Sequence, residues 1–134
     1  MRVVANISSF LGGREAKNWP FTAIRLANGN TLVAAQGPCR AVEVNPAGEV
    51  VRITPLTTSQ QGYHLQVRNI RKLPNGNILT QQGWQKVVEV NREKKVVWEY
   101  DAGKSNGNEG KRVEVHAFQR LPNGDTMIVE SGPA

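Results

Sequence analysis

Cysteine is nearly absent from this sequence: Cys39 stands alone among 134 residues. An internal disulfide is therefore excluded, and with two histidines in the chain no Cys/His metal spacing can be drawn. Aromatic residues are scarce, at 6%. No apolar run approaches the roughly 18 residues of a membrane-spanning helix. The start, Met1-Arg2-Val3-Val4-Ala5-Asn6, lacks the sustained apolar core of a signal peptide. The sequence thus reads as a soluble chain without an address, and its compartment is not written in it. No nucleophile–base pair, Gly-rich phosphate loop or metal triad stands out, and no cofactor or metal is expected. The net charge is +6. The lysines and arginines are scattered rather than grouped in a block or a basic helix, so the excess is not read as a nucleic-acid surface.

What is present is a repeat. Leu26-Ala27-Asn28-Gly29-Asn30-Thr31-Leu32 recurs as Leu73-Pro74-Asn75-Gly76-Asn77-Ile78-Leu79 and again as Leu121-Pro122-Asn123-Gly124-Asp125-Thr126-Met127. The copies lie 47 and 48 residues apart. Asn-Gly between apolar runs is a strong hairpin signal, because glycine takes positive φ without a steric penalty and asparagine tolerates it. A glycine follows each second run: Gly37, Gly83 and Gly132. A third run, Arg40-Ala41-Val42-Glu43-Val44-Asn45, is matched by Lys86-Val87-Val88-Glu89-Val90-Asn91. A fourth, Glu49-Val50-Val51-Arg52-Ile53, is matched by Lys95-Val96-Val97-Trp98-Glu99-Tyr100.

Four short Val/Ile/Leu-rich strands every 47 residues predict an all-β chain of β-propeller blades, each of four antiparallel strands. Doublets such as Val87-Val88 and Val96-Val97 place apolar side chains on both faces, as stacked blades require. Helical repeats of similar period are disfavoured, since the turns cut each unit into runs too short for helices. A weak helical segment is visible only near 9–17, interrupted by glycines. The units are placed at about 20–54, 65–101 and 113–134 of a single segment 1–134, with an N-terminal strand at 2–7.

The runs Leu73–Leu79, Val87–Asn91 and Val96–Asp101, with His116-Ala117-Phe118-Gln119-Arg120 before the third turn, resemble the repeats of PQQ-like and arylsulfotransferase-like β-propellers. In arylsulfotransferases a channel histidine acts on the sulfate ester. The matching position, seven before the turn asparagine, holds Phe21, Arg68 and His116. His116 alone fits; His64 is out of register. No residue here matches a PQQ ligand.

The third unit stops after its second strand, and the last blade is read as split between the termini. The N-terminal run 2–7 can be read as a third strand, like 40–45, or as a fourth, like 95–100. The fourth-strand register fits the connecting length better. An open blade edge invites pairing. A homo-oligomer that closes its ring is expected, a dimer of six blades in the first instance. A piece of a longer propeller is the alternative.

Further positions recur. Arg25, Lys72 and Arg120 stand three before each turn asparagine. They are read either as salt-bridged positions or as a ring of positive charge for an anion. Glu43 and Glu89 match in the third strand, a structural role beside a basic neighbour. Trp98 is assigned to inter-blade packing, Trp19 to a lid, and Trp84 to loop packing or ligand stacking. Residues 101–110 are expected to form a flexible polar connection. These readings favour a non-enzymatic scaffold or binding module for a small anion or carbohydrate, with Phe21, Arg68, His116, Arg25, Lys72 and Arg120 as channel candidates. An arylsulfotransferase-like enzyme using His116 is the alternative.

Overall fold

The computed structural model describes residues 20–35, 39–56 and 67–132. The expected strand at 2–7, the weak helical segment at 9–17, Trp19, Gly37 and His64 lie outside them.

Three antiparallel sheets follow one another along the chain. The first holds β1 (Pro20–Arg25), β2 (Thr31–Ala35), β3 (Arg40–Val44) and β4 (Val50–Pro55), paired in chain order. The second repeats this with β5 (Val67–Lys72), β6 (Ile78–Gln82), β7 (Lys86–Val90) and β8 (Val96–Asp101). The third holds β9 (Glu114–Arg120) and β10 (Thr126–Ser131). No α-helix occurs among the described residues; one 3-10 turn, Ala102–Lys104, follows β8.

Each Asn-Gly lies at a hairpin tip, but the turn differs from the two-residue form that a positive-φ asparagine would allow. Gly76 N–H donates to the Leu73 carbonyl at 2.8 Å, and Leu73 N–H donates to the Asn77 carbonyl at 2.8 Å. Gly76 has φ +85, whereas Asn75 is not among the positive-φ residues. The loop is therefore a type I turn with Pro74 at its second position and a left-handed glycine closing it. The Asn75 side chain instead accepts from Asn77 N–H at 2.9 Å, which pins the turn.

The sheets stack face to face. Leu32, Ala34 and Ala41 of the first sheet pack against Val67, Ile70, Ile78, Val88 and Val90 of the second. Leu79 and Val87 of the second pack with Val113, Val115 and Phe118 at the third, alongside half-buried Trp98, Tyr100 and Ile128. The central strands β3 and β7 are buried over Ala41–Val44 and Val87–Val90, so both faces of these sheets are covered. The outer strands are not: Val51 and Val97 are each about half exposed. The stretch 101–110 is held, not loose. Asp101 caps Gly103 N–H at 3.0 Å, Ser105 Oγ donates to the Asp101 carbonyl at 2.7 Å, and buried Asn108 donates to the Ala102 carbonyl at 3.0 Å. Its polar side chains serve its own backbone, which is why composition alone pointed to flexibility.

Candidate functional site

The six channel candidates fall at two ends of the sheets. Phe21, Arg68 and His116 lie near the start of β1, β5 and β9; Arg25, Lys72 and Arg120 lie at their ends. Four residues of strand separate each pair, about 13 Å at strand rise.

At the far end the basic positions act between sheets. Lys72 Nζ contacts Glu43 at 2.7 Å, and Arg120 contacts Glu89 at 2.9 Å. Asn30 and Asn77 donate to the same carboxylates at 2.8 and 2.7 Å. Arg120 also lies over the Trp98 ring, 5.4 Å from its centroid. Arg25 donates to the Gly29 carbonyl at 3.2 Å. Burial pushes the Glu43 and Glu89 carboxyls up. The hydrogen bonds from Lys72 and Asn30, and from Asn77 and Arg120, more than offset it and hold both below the usual range. Two of the three recurring cations thus tie one sheet to the next.

At the near end the chain gathers different chemistry. The Arg68 guanidinium lies 4.5 Å above the Trp84 ring. Beside Trp84 is a cavity of about 300 Å³ lined by Gln85, Arg112, Val113 and Glu114, with Arg112 and Glu114 paired at 2.9 Å. Buried Gln81 donates to the Val115 carbonyl at 2.6 Å, Asn69 donates to the His116 carbonyl at 3.0 Å, and Val115 N–H donates to the Trp84 carbonyl at 2.7 Å. These bonds fix the start of β9 against β5 and the Trp84 turn. Phe21 is described only as backbone in β1.

His116 is exposed, and its Nε2 lies 2.5 Å from Ser131 Oγ. Sequence reasoning missed this pair for a specific reason. The β9–β10 ladder shifts between Val129 and Glu130, so that Glu130 faces Val115 and Ser131 faces Glu114. His116 is the extra residue of that bulge. Counting an unbroken ladder would set His116 opposite Glu130. No cluster of three metal-ligating side chains occurs among the described residues.

No protein-family model matches the sequence, and no curated protein matches it. Among solved structures, a protein of unknown function from Bacteroides caccae shares 27% identity at a TM-score of 0.68, over 87% of this chain and 40% of that one. Virginiamycin B lyase from Staphylococcus aureus, bound to quinupristin, shares 15% identity at a TM-score of 0.60, over 86% and 36%. A streptogramin B lyase shares 13% at 0.55, over 81% and 33%. The chain thus spans 40% or less of the length of these proteins, and what it shares with them is an all-β, propeller-like fold of stacked antiparallel sheets.

Proposed function

We propose that the chain is a non-enzymatic propeller segment of the PQQ-like kind that binds a small anion or an acidic carbohydrate at the first-strand end of its sheets. The observation that carries this reading is the Arg68–Trp84 stack beside the 300 Å³ cavity. The exposed Arg112 guanidinium on the cavity wall offers donors to an anion, and Trp84, held by Arg68 on one face of its ring, offers its remaining surface to a sugar ring. The remaining blades come from a second copy, giving a ring of six. Titration calorimetry with sulfate, phosphate and a hexuronic acid tests the site. One of them binds, and Arg112→Ala or Trp84→Ala weakens it about tenfold, the loss of one charged hydrogen bond or one stacked face. Binding by none of the three, or binding indifferent to both substitutions, rejects the site.

The His116–Ser131 contact favours a second reading, an arylsulfotransferase-like enzyme with His116 as the proton-transferring group. Turnover of an aryl sulfate, abolished in a folded His116→Ala variant, would establish it. Absence of turnover in the wild type discards it.

A further inference from the structure

We infer that Asn106-Gly107 is a site of spontaneous deamidation, and that the Asn-Gly pairs of the three hairpin tips are protected from it. The chain has four such pairs, at 28–29, 75–76, 106–107 and 123–124. The chemistry open to each is the same. The glycine backbone nitrogen attacks the asparagine side-chain carbon Cγ, and the bond from Cγ to Nδ2 breaks. The proton of the attacking nitrogen leaves with the departing ammonia, and a cyclic imide remains. Water then opens the imide to aspartate or isoaspartate, so a carboxylate stands where an amide was. Glycine favours the attack because no Cβ crowds its nitrogen. The reaction needs neither the ligand nor the assembly proposed above, but it does need a glycine nitrogen and an asparagine side chain that are not tied elsewhere.

Turn geometry separates the four. At each hairpin tip glycine is the fourth residue, and its N–H closes the turn. Gly29 donates to the Leu26 carbonyl at 3.0 Å, Gly76 to Leu73 at 2.8 Å and Gly124 to Leu121 at 3.0 Å. The asparagine is held as well, since its Oδ1 accepts from the N–H two residues on at 2.9 to 3.0 Å. Between β8 and β9 the pair sits one place earlier in its turn. Asn108 N–H donates to the Ser105 carbonyl at 3.0 Å, so Asn106 and Gly107 are the two central residues, at φ +56 and +70. The bonds that hold this stretch stop at Ser105 and resume at Asn108. Gly107 N–H donates to no described residue, and both central residues are exposed. A Cβ built on Gly107 would meet nothing within 4 Å, so the backbone there has room to turn. The Asn106 side chain makes one bond among the described residues, from Nδ2 to Tyr100 Oη at 3.0 Å. That bond gives the reaction a consequence. Tyr100 on β8 donates its Oη proton to Glu130 on β10, so Asn106 extends a link from the second sheet to the third. A phenol has one proton to give. A carboxylate at 106 can donate nothing to Tyr100, and it competes with Glu130 for that proton, so the turn loosens from the sheet.

Peptide mapping by mass spectrometry, on the full chain aged in mildly alkaline buffer, tests this. The aspartate and isoaspartate formed at each of the four asparagines are followed with time. Asn106 converts at least about tenfold faster than Asn28, Asn75 or Asn123, because reaction at the tips waits on local opening. In urea, with the turns undone, the four rates converge. Equal rates in the folded chain, or a faster tip, overturn the inference. So does a preference for Asn106 that persists undiminished in urea, since its cause would then lie in neighbouring residues rather than in the turns. Asn106→Asp, which places the product's carboxylate directly, speeds hydrogen exchange at the Asn108 N–H that closes the turn. Exchange unchanged from the wild type overturns the loosening through Tyr100.

Discussion

At Glu43 and Glu89 burial opposes ionisation while hydrogen bonds and a cation from the next sheet favour it, and the favourable contacts win. Each folded pKa therefore lies below the unfolded value of about 4.3, so the stabilisation is complete above that pH and is lost as pH falls through the folded value. Urea unfolding should show the wild type losing more stability between pH 7 and pH 3 than a Glu43→Gln/Glu89→Gln variant. Removing one partner outright leaves a half-buried cation behind, so Glu89→Leu should cost about 2–3 kcal/mol at pH 7. Cys39 behaves differently, because nothing compensates its burial and its thiol is pushed up to about 11. Alkylation by iodoacetamide at pH 7.5 should be much slower than for a free thiol, and should accelerate on unfolding in urea.

The hairpins show how one element tolerates different sequences at different cost. In the first sheet the β3–β4 turn closes on Gly48 at φ +88; in the second the same position is Lys94 at φ +66. Both make the same bonds, from Gly48 to the Asn45 carbonyl and from Lys94 to the Asn91 carbonyl, each at 3.0 Å. A side chain in the left-handed region costs about 1–2 kcal/mol, part of which glycine returns as backbone entropy. Lys94→Gly should therefore stabilise by about 0.5–1 kcal/mol in thermal or urea unfolding. Gly48→Lys should destabilise by a similar amount. At Gly76 a Cβ would lie 2.6 Å from the Arg92 guanidinium, the far end of a side chain that can swing aside, so the demand for glycine there comes from its φ of +85.

On the scale of the molecule, the third sheet has an uncovered face. Met127 and Val129 are 50% and 49% exposed, while the equivalent Leu79 and Gln81 are fully buried against the next sheet. Substituting Met127→Lys and Val129→Lys alters side chains that are already half exposed, so stability should move by no more than about 0.5 kcal/mol. If a further blade covers this face, the same pair should lower self-association measured by sedimentation. No helix among the described residues is long and apolar enough to cross a membrane.

The sequence by itself determined the strands and their order. Asn-Gly at intervals of 47 and 48 residues sets where the backbone reverses, a local property, whereas the valine doublets do not tell a covered strand from an open one: Val87-Val88 is buried, but Val96-Val97, expected to be covered on both faces, is about half exposed on an outer strand. The recurrence of Glu43 with Glu89 and of Lys72 with Arg120 was equally legible, but not that each carboxylate meets a cation of the following sheet, since that depends on how the sheets stack. Turn type escaped the reading because the asparagine side chain bonded its own loop and left positive φ to glycine alone. The Arg68–Trp84 stack and the His116–Ser131 contact were decided only by tertiary structure. The first needs a strand start and a distant turn to converge, and the second needs a bulge that shifts the ladder by one residue. A one-residue shift has no signature in composition or period, yet it changes which side chains share a face.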